Sequence, residues 1–325
     1  MKIREAKKLK EIILKEIHKV IVNQEKVIEE LLIALFSKGH VLVIGVPGLA
    51  KTLLINTIAK TLGLKFSRIQ FTPDLMPSDI TGTEILQEDP LTKEKKFKFV
   101  KGPIFANILL ADEINRTPPK TQSALLEAMQ ELKVTVNGVD YFLEEPFFVF
   151  ATQNPIEQEG TYPLPEAQLD RFMLNTYIYY PDHNNEIEIV KRTTGYEFPQ
   201  PQKVLEKEEI IEIQKEVREM PVPEHVFEYA IKLVRNTRPE STEFEKVKKY
   251  VDYGASPRAS QFLIIGGKAK AFLDGKDFVE IKDVKYIAPS VLRHRIIFNF
   301  AAEAEEINKE EFIKEIIENT DWEKK

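Results

Sequence analysis

The chain has 325 residues, which is more than one ordinary domain needs and favours two, at about 150 residues per domain. Its 46 Lys and Arg residues against 52 Asp and Glu residues give a formal net charge of −6, which argues against a surface that binds nucleic-acid phosphates over most of its area. The absence of cysteine excludes disulfides, thiolate metal sites and cysteine nucleophiles, and the five scattered histidines disfavour a histidine-rich metal site.

The amino-terminal segment is basic, but charged residues interrupt its apolar positions at short intervals. No run of about 18 uncharged apolar residues occurs along the chain. We therefore expect neither a signal peptide nor a membrane span, and we expect a cytoplasmic protein.

Helices and strands alternate in the first half of the sequence. Residues 2–36 have the spacing of two amphipathic helices, with a break at Val22, Asn23 and Gln24. The apolar run at 40–44 predicts a buried strand, and a helix follows at 51–62. Further strands are predicted at 65–71, 104–111, 147–152 and 176–180, and a further helix at 121–132. This alternation is typical of a parallel sheet with helices on both faces.

Two segments interrupt the alternation and have the pattern of hairpins. In residues 84–100, Phe97 and Phe99 alternate with lysines, which predicts a half-buried hairpin. Residues 134–143 contain an Asn-Gly pair between two alternating runs, which is a strong hairpin signal.

The pattern changes after Pro181. Helices are predicted at 206–218, 224–236, 257–273, 282–291 and 310–318, with no convincing strand among them. The Pro-Gln-Pro segment at 199–201 indicates a linker. We therefore predict an α/β domain over residues 1–185 and an all-α domain over residues 186–325.

The segment between the first strand and the next helix has the composition of a phosphate-binding loop. Backbone N–H groups of such a loop, together with the helix N-terminus, bind phosphate. Lys51 would neutralise the β- and γ-phosphates, and the Thr52 hydroxyl would bind Mg²⁺. The residues predicted to contact nucleotide here are Gly45, Val46, Pro47, Gly48, Leu49, Ala50, Lys51, Thr52 and Leu53. The alternative is a strand–helix turn that binds nothing.

One position departs from the usual phosphate-binding loop. Ala50 stands where a glycine usually precedes the lysine. A methyl group is tolerated there only if the backbone keeps a negative φ and the nucleotide is not crowded, so we expect both.

A second motif ends the apolar run at 108–111. Asp112 would hold Mg²⁺ through water, and Glu113 would orient and deprotonate the attacking water. Phosphoryl transfer needs both roles because the metal neutralises charge while a separate base positions the nucleophile. The alternative is a strand end with two solvated acids.

Together these motifs resemble those of the MoxR family of AAA+ ATPases, which also explains Ala50. The sequence stretches that carry the resemblance are Val-Ile-Val-Asn-Gln-Glu (20–25), Gly-Val-Pro-Gly-Leu-Ala-Lys-Thr (45–52), Ala-Asp-Glu-Ile-Asn-Arg (111–116), Ala-Thr-Gln-Asn-Pro (151–155), Leu-Pro-Glu-Ala-Gln-Leu-Asp-Arg-Phe (164–172) and Gly-Ala-Ser-Pro-Arg-Ala (254–259). The likeness covers about residues 20–299. It implies an AAA+ P-loop core followed by an all-α lid, with ATP or ADP and Mg²⁺ as ligands.

The resemblance assigns several further roles. Asn154 corresponds to the sensor-1 residue, which could bond the γ-phosphate or the lytic water; the alternative is an Asn-Pro turn, and both can hold at once. Arg258 corresponds to sensor 2, which would bridge the lid and the nucleotide phosphates; a solvated arginine is the alternative. Val22 and Asn23 lie where backbone groups meet adenine, although the family more often has glycine in place of Asn23.

Arg171 corresponds to the arginine finger of the family, which reaches the γ-phosphate of a neighbouring subunit. The alternative is a local salt bridge to Asp170 or Glu166. Arg116 is a second candidate for contact with a neighbour, or it forms a surface ion pair. A residue of this kind requires a neighbour, so the resemblance implies a homo-oligomeric ring, most simply a hexamer.

The hairpin at about 84–100 resembles the helix-2 insert of AAA+ proteins, and that at about 134–143 the hairpin before sensor 1. Lysines cluster in the first of them, at Lys93, Lys95, Lys96, Lys98 and Lys101. They could contact nucleic acid or an acidic protein. The interpretation that we favour is an edge strand whose lysines protect it against aggregation.

The leading functional hypothesis is a chaperone-like ATPase that remodels or matures client proteins, with metal or cofactor insertion as one form. Partners with von Willebrand A domains are typical of the family. The alternative is an ATP-driven nucleic-acid motor, which the net charge of −6 disfavours. A regulatory GTPase is excluded because the segments at 92–95 and 308–311 lack the aspartate that selects guanine. A scaffold without turnover is disfavoured by Glu113, Asn154 and Arg171.

Overall fold

The computed structural model describes residues 3–88, 93, 95–156, 160–196 and 198–321. The amino-terminal region alternates helices and strands, as predicted. In chain order its elements are α1 (Ile3–Ile17), α2 (Glu25–Phe36), β1 (Val41–Ile44), α3 (Lys51–Thr61), β2 (Phe66–Gln70), α4 (Pro77–Thr81), β3 (Gly82–Glu88), β4 (Lys95–Lys101), β5 (Ile108–Asp112), a 3₁₀ turn (Ile114–Arg116), α5 (Pro119–Glu131), β6 (Lys133–Val136), β7 (Val139–Phe142), β8 (Phe148–Gln153), α6 (Glu166–Leu169) and β9 (Leu174–Tyr177).

Five of these strands form one parallel sheet in the order β2-β5-β8-β1-β9. The central strands are mostly apolar because both faces of the sheet are covered. In β5, Leu109 and Ala111 pack into the core on one face, whereas Ile108 and Leu110 pack into the core on the other. Because all five strands are parallel, their carboxyl ends lie along one edge of the sheet and their amino ends along the opposite edge.

Two predicted strands have different bounds in the structure. The strand predicted at 104–111 begins only at Ile108, because the chain before it turns and the Asn107 side chain accepts a hydrogen bond from Lys65 N (3.2 Å). The strand predicted at 176–180 spans Leu174–Tyr177 instead. It pairs residue for residue with β1, which ends at Ile44, so the partner strand sets its length.

Both predicted hairpins are present, as β3–β4 and β6–β7. The Asn-Gly turn of the second has positive φ at both positions, 49° and 82°. The hairpins contact each other, since Phe99 stacks on Tyr141 with ring centroids 3.9 Å apart. Phe97 is 73% exposed, so the predicted half-burial holds for Phe99 and is wrong for Phe97. Residues 89–92, between the two strands, lie outside the described residues.

The carboxyl-terminal region is helical. Its elements are α7 (His183–Thr193), α8 (Lys207–Glu219), α9 (Glu224–Arg235), α10 (Glu245–Tyr250), β10 (Val251–Tyr253), α11 (Pro257–Leu273), α12 (Ile281–Leu292), β11 (Ile297–Phe298), α13 (Phe300–Ala304) and α14 (Lys309–Asn319). The pairing of β10 with β11 corrects the expectation that the region has no strand. Among the described residues, no helix is long and apolar enough to cross a membrane.

The helical region is joined to the sheet by a continuous apolar core and by buried polar contacts. Glu30 of α2 is buried and accepts hydrogen bonds from the hydroxyls of Thr176 (2.7 Å) and Ser290 (2.6 Å). Arg293, which follows α12, donates to the carbonyl oxygen of Asn175 in β9. These bonds fix the helical region against the last strand of the sheet.

His40, just before β1, is a buried histidine that stays neutral. Its Nδ1 accepts a hydrogen bond from Val149 N (3.0 Å), so its Nε2 carries the proton and donates to the carbonyl oxygen of Met129 (3.2 Å). Burial lowers the pKa of His40 to about 4. Burial also lowers the pKa of His294.

We expect acid to destabilise the fold through these histidines. An unfolded histidine binds a proton below about pH 6.5, whereas His40 in the folded chain does so only near pH 4, so stability falls as pH falls between these values. His40 alone should lower the free energy of unfolding by about 2 kcal/mol between pH 7 and pH 5. Urea titrations at both pH values measure this, and His40→Asn should show a smaller difference. An equal difference in the variant would contradict the assignment.

Candidate functional site

The predicted phosphate loop lies at the carboxyl edge of the sheet, between β1 and α3. Gly45 leaves little room for a side chain, because a Cβ there would lie 3.0 Å from the carbonyl oxygen of Ile178. Gly48 has a φ of 84° and Ala50 a φ of 55°. The expectation of a negative φ at Ala50 is therefore wrong: the alanine adopts the left-handed conformation that glycine takes more easily.

Lys51 and Thr52 begin helix α3, so both lie at its positive end. The Lys51 ammonium donates to the carbonyl oxygens of Gly45 and Val46, within the loop itself. Burial lowers the pKa of Lys51, while the nearby charges of Asp112 and Glu113 raise it. The structure therefore brings the predicted lysine and the two predicted carboxylates into one site, with the lysine folded back on its own loop.

Asp112 is the last residue of β5 and is mostly buried. Its Oδ1 accepts a hydrogen bond from the Thr152 hydroxyl (2.6 Å), and its Oδ2 accepts two from Arg68, at 3.2 Å from Nε and 2.6 Å from Nη2. The Thr152 hydroxyl also accepts a bond from Glu113 N (2.9 Å). The threonine on β8 thus fixes both acids of the β5 end.

Glu113 follows β5 in a left-handed conformation, with a φ of 57°. This conformation is uncommon for a residue with a side chain, and such strain is concentrated at functional sites. Its Oε2 accepts hydrogen bonds from Gln70 (2.8 Å) and from Arg116 (2.8 Å). For Arg116 the structure shows the ion-pair alternative, since its guanidinium pairs with Glu113.

Arg68, Gln70 and Thr152 were not predicted as site residues. Arg68 and Gln70 occupy alternate positions of β2, so both side chains point to the same face, and Gln70 lies opposite Asp112 in the ladder. One signal could have identified them: polar residues near the carboxyl end of a strand whose neighbour in the sheet ends in acidic residues. Using that signal requires the strand order, which the sequence does not provide.

Asn154 comes directly after β8, which lies between β5 and β1, as expected for sensor 1. Its side chain is buried, and its Oδ1 accepts a hydrogen bond from Ile156 N (3.2 Å). The turn-forming reading of Asn154 is therefore observed, and it leaves the amide nitrogen for another partner. Contact with phosphate or water stays a prediction.

Val22 and Asn23 lie in the turn between α1 and α2, where Asn23 has a φ of 59° and an exposed side chain. The Arg192 guanidinium of α7 donates to the carbonyl oxygen of His18 (2.7 Å), so α7 packs beside this turn. An adenine contact of Val22 and Asn23 stays a prediction.

Arg171 and Arg258 lie together at the opposite, amino-terminal edge of the sheet. Arg171 shortly precedes β9 and donates to the carbonyl oxygen of Leu126 (3.0 Å). Arg258, in the first turn of α11, lies 3.4 Å from Asp170 Oδ2, and both arginines line one depression. Asp170 also pairs with Arg295 at 2.7 Å. The predicted salt bridge of Arg171 to Asp170 or Glu166 is not found among the described residues.

This placement bears on the role expected of Arg258. Lys51 follows the carboxyl end of β1 and Asp112 is the last residue of β5, whereas Arg258 lies near the amino end of β9, a strand that runs parallel to β1. A bridge from Arg258 to phosphates held by Lys51 of the same chain would have to span the length of the sheet. Arg171 is separated from them in the same way.

The loop and the β5 end supply oxygen donors that suit Mg²⁺, a hydroxyl from Thr52 and a carboxylate from Asp112. In the described part of the chain, no group of three or more His, Asp or Glu residues is placed to hold a metal ion. Mg²⁺ in nucleotide sites is usually bound by one or two protein side chains together with phosphate oxygens and water. Two protein ligands are therefore enough for such a site.

Two family models match the chain. Residues 40–174 match the model described as ATPase family associated with various cellular activities (AAA), and residues 244–316 match the AAA lid domain. The first match contains the phosphate loop, both acids, Asn154 and Arg171, and the second contains Arg258.

Relatives align over nearly the whole chain. Chaperone MoxR1 of Mycobacterium tuberculosis is 44% identical over 304 residues, which cover 93% of this chain and 79% of the relative. The protein YeaC of Bacillus subtilis is 43% identical, with 93% and 91% covered. A protein of Cytophaga hutchinsonii with a crystal structure superposes with a TM-score of 0.90 at 45% identity, covering 98% of this chain and 96% of that one.

Proposed function

Because this chain belongs to the MoxR family of AAA+ ATPases, we propose that it couples Mg²⁺-dependent ATP hydrolysis to the remodelling or maturation of partner proteins. It is an ATPase with an α/β core and a helical lid. The observation that carries the proposal is the division of the predicted residues between two edges of one sheet. Lys51, Asp112 and Glu113 lie on one edge, and Arg171 and Arg258 on the other.

On the carboxyl edge, each residue has a chemical task in ATP hydrolysis. Lys51 would leave its loop carbonyls to neutralise the β- and γ-phosphates, and Thr52 and Asp112 would hold Mg²⁺, which would supply positive charge beside the phosphates. Glu113 is the general base for the attacking water, and Asn154 orients that water or the γ-phosphate. The residues from Gly45 to Leu53 surround the phosphates, and the turn at Val22 and Asn23 meets the adenine.

On the amino edge, we assign Arg171 and Arg258 to the nucleotide of a neighbouring molecule. A molecule that offers arginines on one edge and a nucleotide on the other joins its neighbour head to tail, and such contacts form a closed ring when the rotation between neighbours completes a full turn. A cavity of about 530 Å³ opens beside Asp170 on the arginine side, lined by Tyr253, Ser256 and Arg295, and offers a recess for the neighbour. We propose a hexameric ring.

The joined hairpins provide a surface for client proteins. Leu86 and Phe97 face each other across β3–β4 and are 55% and 73% exposed, with lysines on the strand beside them. An exposed apolar pair with basic neighbours suits an acidic protein segment with apolar side chains. One relative is named a chaperone. We propose that a protein with a von Willebrand A domain acts as a partner in client binding. Metal or cofactor insertion into the client would be one outcome. We also propose that the protein works in the cytoplasm.

A nucleic-acid motor is the second candidate, because the hairpin lysines could bind phosphate. The two proposals differ in their response to DNA. We expect ATP turnover to be unchanged by single- or double-stranded DNA at low salt, where phosphate contacts are strongest. Steady-state release of phosphate measures this. Stimulation by DNA that salt abolishes would overturn the remodelling proposal and support the motor.

A further inference from the structure

Arg68 connects the two acids of the nucleotide site. Its guanidinium donates to Asp112 Oδ2 from Nε and Nη2, and Nη2 also donates to the Gln70 side-chain oxygen (2.7 Å). The Gln70 amide nitrogen in turn donates to Glu113 Oε2 (2.8 Å). Asp112, Arg68, Gln70 and Glu113 thus form one continuous chain of hydrogen bonds across β2 and β5.

The two oxygens of Asp112 have different partners. Oδ1 is held by the Thr152 hydroxyl at 2.6 Å, in a buried contact that also fixes the backbone of Glu113. Oδ2 is the oxygen that Arg68 holds. A cation that approaches this carboxylate from the phosphate side therefore meets a site whose second oxygen is already paired with a positive charge.

The two arginine contacts are easier to break than the threonine contact. The Arg68 side chain is 45% exposed, whereas the Asp112 side chain is only 12% exposed. Its guanidinium can therefore exchange the carboxylate for water, while Asp112 needs some cation at all times because a buried carboxylate without one is costly. The half-exposed Arg68 is therefore suited to be a counter-charge that another cation can displace from Asp112.

We propose that Arg68 is a positioning residue that holds Asp112 Oδ2 while the nucleotide site is empty and competes with Mg²⁺ for that oxygen. The proposal rests on the nucleotide site assigned above.

The proposal predicts that removing Arg68 strengthens the effect of Mg²⁺ on nucleotide binding. For Arg68→Gln, the ratio of ADP affinity in saturating Mg²⁺ to ADP affinity in EDTA should rise about three- to tenfold, the size expected for a half-exposed charge-assisted contact. Isothermal calorimetry with ADP measures both affinities without turnover. A general loss of positive charge would weaken both affinities and leave the ratio unchanged. An unchanged or lower ratio in folded Arg68→Gln overturns the proposal.

A double-mutant cycle tests whether Arg68 acts through Asp112. In an Asp112→Asn background, Arg68→Gln should leave the ratio as it is in Asp112→Asn alone, whereas a full effect in that background overturns the proposal. Lys65→Gln is the matched control, since it removes one positive charge just before β2, where the lysine ammonium donates to the Phe105 carbonyl oxygen (2.9 Å). Lys51→Ala separates this idea from the site itself: if it binds ADP as the wild type does, the nucleotide site is wrong.

Discussion

Replacement of Arg171 by alanine is expected to reduce ATP turnover by about 10³- to 10⁵-fold, the range known for arginine fingers in GTPases. ATP affinity should stay close to that of the wild type. The reason is the position of Arg171 at the amino edge of the sheet, away from the phosphates that Lys51 of its own chain would bind. Steady-state phosphate release measures turnover, and calorimetry measures affinity. Arg218→Ala, at an exposed position of α8, is a control that should leave both unchanged.

Mixing variants tests whether the arginine acts on a neighbour. We expect Arg171→Ala and Glu113→Gln to be inactive when each is alone. A ring that contains both variants has some subunit interfaces where an intact Glu113 faces an intact Arg171 of the neighbour. Some turnover should therefore return on mixing. Absence of rescue in rings shown to contain both variants would contradict action on a neighbour, and it would do so without affecting the assignment of Glu113.

Replacement of Glu113 by glutamine should reduce turnover by about 10²- to 10⁴-fold, the usual contribution of a general base, while ATP stays bound. Glutamine has the shape of glutamate and can still accept a hydrogen bond from Gln70, but it cannot take a proton from water. Single-turnover hydrolysis measures the chemical step, and calorimetry measures ATP affinity, so the loss of hydrolysis can be separated from a loss of binding. Turnover at the wild-type rate would remove Glu113 as the base. Glu224→Gln, at an exposed position of α9, is the control for loss of one acidic charge.

Local sequence patterns predict most of this fold and of the carboxyl-edge site. The phosphate loop, the acidic end of β5 and the Asn-Gly hairpin are short, so their residues are neighbours in the sequence as in space. The backbone of Ala50 is not predicted, because its left-handed conformation depends on what the loop surrounds and alanine usually avoids it.

The contacts between distant segments could not be predicted. Arg68 and Gln70 join the site because β2 pairs with β5, which is a property of strand order. Arg258 lies beside Asp170 because α11 packs near the start of β9. A helix propensity or a turn signal carries no information about which elements meet, so the edge on which Arg258 lies follows only from the tertiary structure.

The apolar core shared by the sheet and the helical region has a consequence for how the chain melts. Val41, Phe148 and Leu174 of the sheet belong to the same buried cluster as Leu263 and Ile287 of the helices. Neither region can lose its structure without exposing apolar surface of the other, so both should unfold in a single cooperative transition. A nucleotide bound at the carboxyl edge of the sheet would therefore raise the melting temperature of helices that it never touches.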